Sequence, residues 1–205
     1  MTEKSLAHAL LTKLEQHITT HSFGESPTEL YEPITYIMSL GGKRIRPLLS
    51  LLAYGIYGKN PEEILSQAAA VEVFHNFTLM HDDIMDNAPL RRGKATVHEK
   101  WNANIAILSG DVMLVRAYDL LLGTDPKLLT EVIRLFNKTA AEVCEGQQFD
   151  MNFETYQTVH EDEYINMIRL KTAVLLGFAL QLGAILAGAE KEDAQKLYEF
   201  GVNIG

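Results

Sequence analysis

The chain contains one cysteine, Cys144, and one tryptophan, Trp101, in 205 residues. A single thiol excludes an internal disulfide framework and makes a reducing cytoplasm the simplest setting. Positive charge is also in short supply: 18 Lys and Arg stand against 27 Asp and Glu, for a net charge of -9. That balance, without a basic stripe interleaved with aromatics, argues against nucleic acid as a partner. No signal peptide is legible, because MTEKSLAHALLTKLEQ is amphipathic and carries charges of both signs. Only one long uncharged run occurs, TAVLLGFALQLGAILAGA at 172–189. Its length would suit a bilayer, but its glycines and Gln181 fit the centre of a helical bundle, so no transmembrane segment is expected.

What is present is a soluble globular composition, 47% apolar and 22% charged, long enough to bury a substantial core. Apolar periodicity predicts helices at roughly 3–21, 28–39, 44–57, 61–87, 94–122, 126–152, 160–188 and 190 onward. Breakers fall at Gly24 to Pro27, Gly41 and Gly42, Gly58 to Pro61, Pro89, and Gly123 to Pro126. No segment reads as a strand pair, and no repeat or low-complexity linker divides the chain. The expectation is one all-α domain over residues 1–205.

Acid and base gather where helix electrostatics would not place them. The helix carrying QAAAVEVFHNFTLMHDD brings Asp82, Asp83 and Asp86 into its last turns, the negative end of its dipole. Asp82 and Asp86 are like charges at i,i+4, a mutual repulsion that a divalent cation relieves. All-oxygen ligands with room for water suit magnesium, which commonly binds through one or two carboxylates plus substrate phosphates. Arg91 and Arg92 follow, with guanidinium forks suited to phosphate. Upstream lies a second basic cluster, Gly41-Gly42-Lys43-Arg44-Ile45-Arg46-Pro47, whose glycines let the backbone turn or approach a ligand closely. The two clusters together describe a polyanion site with two kinds of holder: carboxylates acting through metal, and cations acting directly.

GGKRIRP, HNFTLMHDDIMD and LRRGKATVH resemble, in order and spacing, the first three signature segments of the trans-isoprenyl diphosphate synthases, or polyprenyl synthetases. The resemblance continues through EGQQFD, with Gln147 and Asp150, to the pair Lys171-Thr172. It implies an all-helical isoprenoid synthase bundle around a central cavity. It also implies a magnesium-dependent prenyltransferase joining isopentenyl diphosphate to an allylic diphosphate. In that family Asp82, Asp83 and Asp86 would hold Mg2+ on the allylic diphosphate, with Arg91 beside it. Lys43, Arg46, His75 and Arg92 would bind isopentenyl diphosphate. Lys171 would approach the allylic diphosphate, while Thr172 and Gln147 would stabilise the allylic cation. Phe77 and Thr78, five and four residues before Asp82, would floor the cavity and favour a fifteen- or twenty-carbon product. Arg44 is expected to point away from the site, and His81 and His98 are given no role.

The resemblance further implies a homodimer, with Asn102 to Leu122 apolar enough for its interface. Family members carry a second aspartate-rich segment on a later helix, and this chain stops at YEFGVNIG. It therefore reads as a shortened form with little or no activity by itself. Two other readings remain open at this level: a non-catalytic subunit tuning an active synthase, and a class I terpene cyclase. The cyclase would have no use for the GGKRIRP cluster.

Overall fold

Periodic apolar residues and well-placed breakers set the order of elements in the computed structural model, which describes residues 3–205. The helices are α1 (Glu3–Thr20), α2 (Thr28–Ser39), α3 (Ile45–Ile56), α4 (Leu65–Met85), α5 (Val97–Lys100), α6 (Ala103–Leu121), α7 (Pro126–Phe153), α8 (Glu161–Ile168), α9 (Val174–Ala187) and α10 (Lys191–Ile204). A 3-10 turn at Pro61–Ile64 leads into α4, and a π-helical turn at Arg169–Ala173 joins α8 to α9. Among the described residues the fold is all-α but for one strand pair.

That pair corrects the expectation of no strands. Leu90–Arg91 (β1) and Lys94–Ala95 (β2) pair antiparallel, Leu90 opposite Ala95 and Arg91 opposite Lys94. Arg92 and Gly93, at φ 53° and 76°, form the turn. Positive φ at both central residues matches the twist of a two-residue hairpin. Two-residue strands offer no alternation to read, which is why the segment merged with the helix predicted at 94–122. That helix is instead divided into α5 and α6, where the Asn102 side chain caps α6 by accepting from the Ile105 amide at 2.9 Å. The helix predicted at 160–188 is present but interrupted by the π turn.

The chain forms two compact units, one up to Pro47 with Leu65–Gly123, the other comprising Leu48–Ile64 and Thr124–Gly205. In the first, α4 packs along α6, with α1 and α2 against them. Ala68, Ala69, Ala70, Val71, Val73 and Phe74 of α4 are buried, and their small side chains permit close packing. In the second unit α9 is buried nearly all round between α7 and α10. Phe136 and Phe178 pack with centroids 5.8 Å apart. Gly201 and Gly177 let α10 and α9 meet backbone to backbone. The continuous helix 161–187 is long and apolar enough to cross a membrane, yet its most apolar window is 72% buried inside the protein. That is the environment expected of a core helix.

Candidate active site

The end of α4 is built to display carboxylates. The Asp86 amide donates to the Asp82 carbonyl at 2.9 Å, so the helical hydrogen bonding extends to Asp86 and keeps both side chains on one face. Asn87 then turns left-handed at φ 49°, and the Ala88 amide donates to the Asp83 carbonyl at 2.9 Å. This is a left-handed helix cap, and it swings the chain directly into the hairpin. Thr96 fixes the hairpin base by donating to the Ala88 carbonyl at 2.7 Å.

The hairpin returns Arg91 to the aspartates. Its Nε and Nη2 donate to Asp83 Oδ2 and Oδ1, each at 2.7 Å, a bidentate pair. Asp83 is buried, and the hydrogen bonds to it hold the Arg91 guanidinium above its ordinary pKa. Arg91 Nη2 also lies 3.9 Å from Asp82 Oδ2. The three acids are thus not equivalent. Both Asp83 oxygens are engaged by arginine, whereas Asp82 is only partly covered and Asp86 is exposed. No group of three or more potential metal-ligating acids, histidines or cysteines is assembled among the described residues. Two carboxylates at i,i+4 are a donor set that fits magnesium, which keeps several waters and completes its shell with substrate phosphate.

The basic cluster forms a second corner of the same unit. Gly41 and Gly42 have φ of 74° and 149°, and a Cβ on Gly42 would lie 2.9 Å from the Arg92 guanidinium. Glycine therefore lets the loop pass against Arg92. Arg46 Nη1 is 3.2 Å from His75 Nε2. A guanidinium only donates, so Nε2 is the acceptor and the imidazole is neutral. Burial, followed by the charges of Arg46 and Arg92, pushes the His75 pKa well below its usual value. Arg46 Nε is buried without a hydrogen-bond partner. Among the described residues, Lys43, Arg46 and Arg92 have no carboxylate at ion-pair distance. An orphaned donor on a desolvated cation calls for an anion.

Arg44 does point away from this corner, and it has a task that sequence spacing did not reveal. Its guanidinium is buried and donates to Glu15 of α1 at 2.7 Å, to Glu72 of α4 at 2.7 Å and to the Met38 carbonyl of α2 at 2.8 Å. It anchors the loop to three helices while itself in a left-handed conformation, φ 48°. Partners at sequence separations of 29 and 28 residues leave no local signature.

Further down α4, Phe77 and Thr78 are both half-buried. Thr78 spends its hydroxyl on the His75 carbonyl at 2.8 Å. Phe77 packs between Phe74 and His81. In the second unit, Lys171 Nζ lies 2.6 Å from Asp150 Oδ2. Gln147, one turn before Asp150 on α7, has its amide Nε2 buried without a partner. Lys171 and Thr172 both sit in the π turn, a distortion common where a helix presents functional side chains. Gly146 makes room for it: an added Cβ there would overlap the Leu170–Lys171 backbone.

Comparison with known proteins decides the family. The polyprenyl synthetase family matches residues 27–205. The chain belongs to the polyprenyl synthetase family. Among its relatives, the geranylgeranyl diphosphate synthase of Methanosarcina mazei is 44% identical over 181 residues, 87% of this chain and 56% of that protein. The short chain isoprenyl diphosphate synthase of Methanocaldococcus jannaschii is 41% identical over 197 residues, 96% of this chain and 59% of that protein. A crystal structure of a geranylgeranyl pyrophosphate synthase superposes with a TM-score of 0.92 at 50% identity, covering 100% of this chain and 62% of that one. This polyprenyl synthetase chain therefore spans less than two thirds of the length of these relatives.

Proposed function

We propose that this polyprenyl synthetase acts in trans-prenyl transfer, condensing isopentenyl diphosphate with an allylic diphosphate to give a product of fifteen or twenty carbons. The observation that carries the reading is the Lys43, Arg46, His75 and Arg92 corner, whose cations have no carboxylate at ion-pair distance among the described residues and whose Arg46 Nε is an orphaned buried donor. A diphosphate satisfies that donor and relieves the crowding of positive charge. A terpene cyclase would leave this corner without a ligand, and a non-catalytic subunit would gain nothing from it.

In this reading Asp82 and Asp86 would hold Mg2+, and Arg91, fixed by Asp83, would face the same allylic diphosphate. The metal would supply charge neutralisation of the departing diphosphate. Neutral His75 accepts from Arg46 and so orients that guanidinium toward isopentenyl diphosphate, lining up the two reactants. Lys171, Thr172 and the Gln147 amide serve the allylic reactant: the lysine by charge, the other two by dipoles that favour the cation. Phe77 and Thr78 limit the growing tail. A second copy of the chain is the proposed partner across α6, where Ile107, Leu108, Val115 and Leu122 are exposed apolar residues.

The test is incubation of the protein, as its gene encodes it, with isopentenyl diphosphate, each short allylic diphosphate and Mg2+, reading pyrophosphate release and product mass. Elongation is expected, with Asp82→Asn and Asp86→Asn each losing about a hundredfold or more in kcat. Because this chain carries one carboxylate cluster and spans little more than half the length of its relatives, the 205-residue chain alone is expected to show little activity. Failure of every allylic primer with the gene product would overturn the reading.

A further inference from the structure

His81 stands immediately before the aspartates, yet its ring turns from them toward α6. Its Nε2 lies 3.2 Å from the Ile107 carbonyl oxygen. A carbonyl oxygen can only accept, so Nε2 carries the proton and fixes one end of the ring. The ring then lies edge-on against Phe77, centroids 4.8 Å apart at 64°. Phe77 in turn packs 5.7 Å from Phe74.

Space for the imidazole comes from Gly110, a buried residue of α6. A Cβ added there would overlap His81 Nε2 and Cδ2. Gly110 has ordinary helical geometry, so no turn explains the glycine; the missing side chain serves as the seat of the ring. The imidazole lies between α6 and Phe77; on α4 it comes four residues after Phe77 and Phe74 three before, so the two rings reach Phe77 from the helical turns on either side of it. A half-buried phenylalanine has only two soft torsions, and a ring packed against it from each neighbouring turn leaves it little freedom to swing.

We propose that His81, seated over Gly110, is a positioning residue for product length: it holds Phe77 in the orientation that closes the space available to the growing prenyl tail. The proposal rests on the prenyl-transfer reading, in which Phe77 is the floor. Without the imidazole, the Phe77 ring can relax into the volume over Gly110 and the floor deepens.

Five proteins test this, each made in the full-length gene product: wild type, His81→Gln, Phe77→Ala, the double variant of these two, and Gly110→Ala. Glutamine keeps a donor for Ile107 and removes the ring. His81→Gln is expected to raise the ratio of the next longer product to the normal one by about tenfold, the scale on which apolar pockets discriminate chain length. On the Phe77→Ala background it is expected to change nothing further, because it acts through that ring. Gly110→Ala keeps the imidazole but fills its seat, pressing it onto Phe77, and is expected to shift products the other way, to shorter chains. An unchanged distribution in His81→Gln, or a shift that persists without Phe77, overturns the proposal.

A second readout needs no turnover. Binding of unreactive thio-diphosphates with tails of 10, 15, 20 and 25 carbons gives a tail-length cut-off, expected to move up by one isoprene unit in His81→Gln. Loss of affinity for every tail alike would place His81 with the aspartates and overturn the floor role. A wild type that elongates nothing while its cut-off still follows His81 would sink the prenyl-transfer reading and leave the positioning role standing.

Discussion

Asp83 shows how one charge in a cluster is set apart from its neighbours. Removing its partner by Arg91→Ala leaves a buried carboxylate without compensation. The expected loss is about 2–3 kcal/mol, at the low end for a broken buried pair because water reaches Arg91. Calorimetry checks this, and Asp83→Ala added to Arg91→Ala should recover most of the loss. His75 carries a second prediction. It is neutral in the folded protein, and its pKa is held well below 6.5 by burial and then by Arg46 and Arg92. Below about pH 6.5 the unfolded chain binds a proton that the folded protein does not, so stability falls on acidification, by no more than about 1.4 kcal/mol per pH unit for this group. Burial lowers His17 and His21 as well, in the same direction. His75→Asn should therefore flatten the fall in Tm between pH 7 and 5 without abolishing it.

Among the elements, the π turn at Arg169–Ala173 was the least visible from sequence. One extra residue in a helical turn leaves the apolar pattern of 160–188 intact on either side, so periodicity reads straight through it. Its enabling residue, Gly146, looks like an ordinary helix-weakening glycine until the backbone it faces is known. Gly146→Ala should cost about 1–3 kcal/mol by overpacking, although alanine has the higher helix propensity. A rise in Tm would show that α7 and the π turn can separate freely. By contrast, helices α2, α3 and α7 were legible to within about a residue, because glycine and proline at their flanks coincide with the loss of apolar periodicity. The candidate site was legible for a similar reason: the aspartates, Arg91 and Arg92 sit within one helix end and one hairpin, so short spacing carries the signal. Inequality among the three acids was not legible, since it depends on where the hairpin returns Arg91.

At the scale of the whole molecule, what escaped the sequence is what joins distant segments: Arg44 with Glu15 and Glu72, and His81 with Gly110. The exposed apolar row on α6 belongs to this scale too. Leu108, Val115 and Leu122 recur every seventh residue. That spacing keeps one stripe on one side of a helix, as a partner helix would require. Val115→Lys should weaken self-association, with a smaller mass in sedimentation equilibrium at micromolar concentration, while the helical circular dichroism of the protomer stays the same.

The Arg44 anchor also determines when the basic loop loses its conformational entropy. Fixing one backbone residue costs about 1–2 kcal/mol. For Gly41 to Arg44 that loss is taken at folding, when Glu15, Glu72 and the Met38 carbonyl close on one guanidinium. An arriving dianion meets a loop already ordered, and the attraction of Lys43 and Arg46 goes into affinity instead of into arranging the chain.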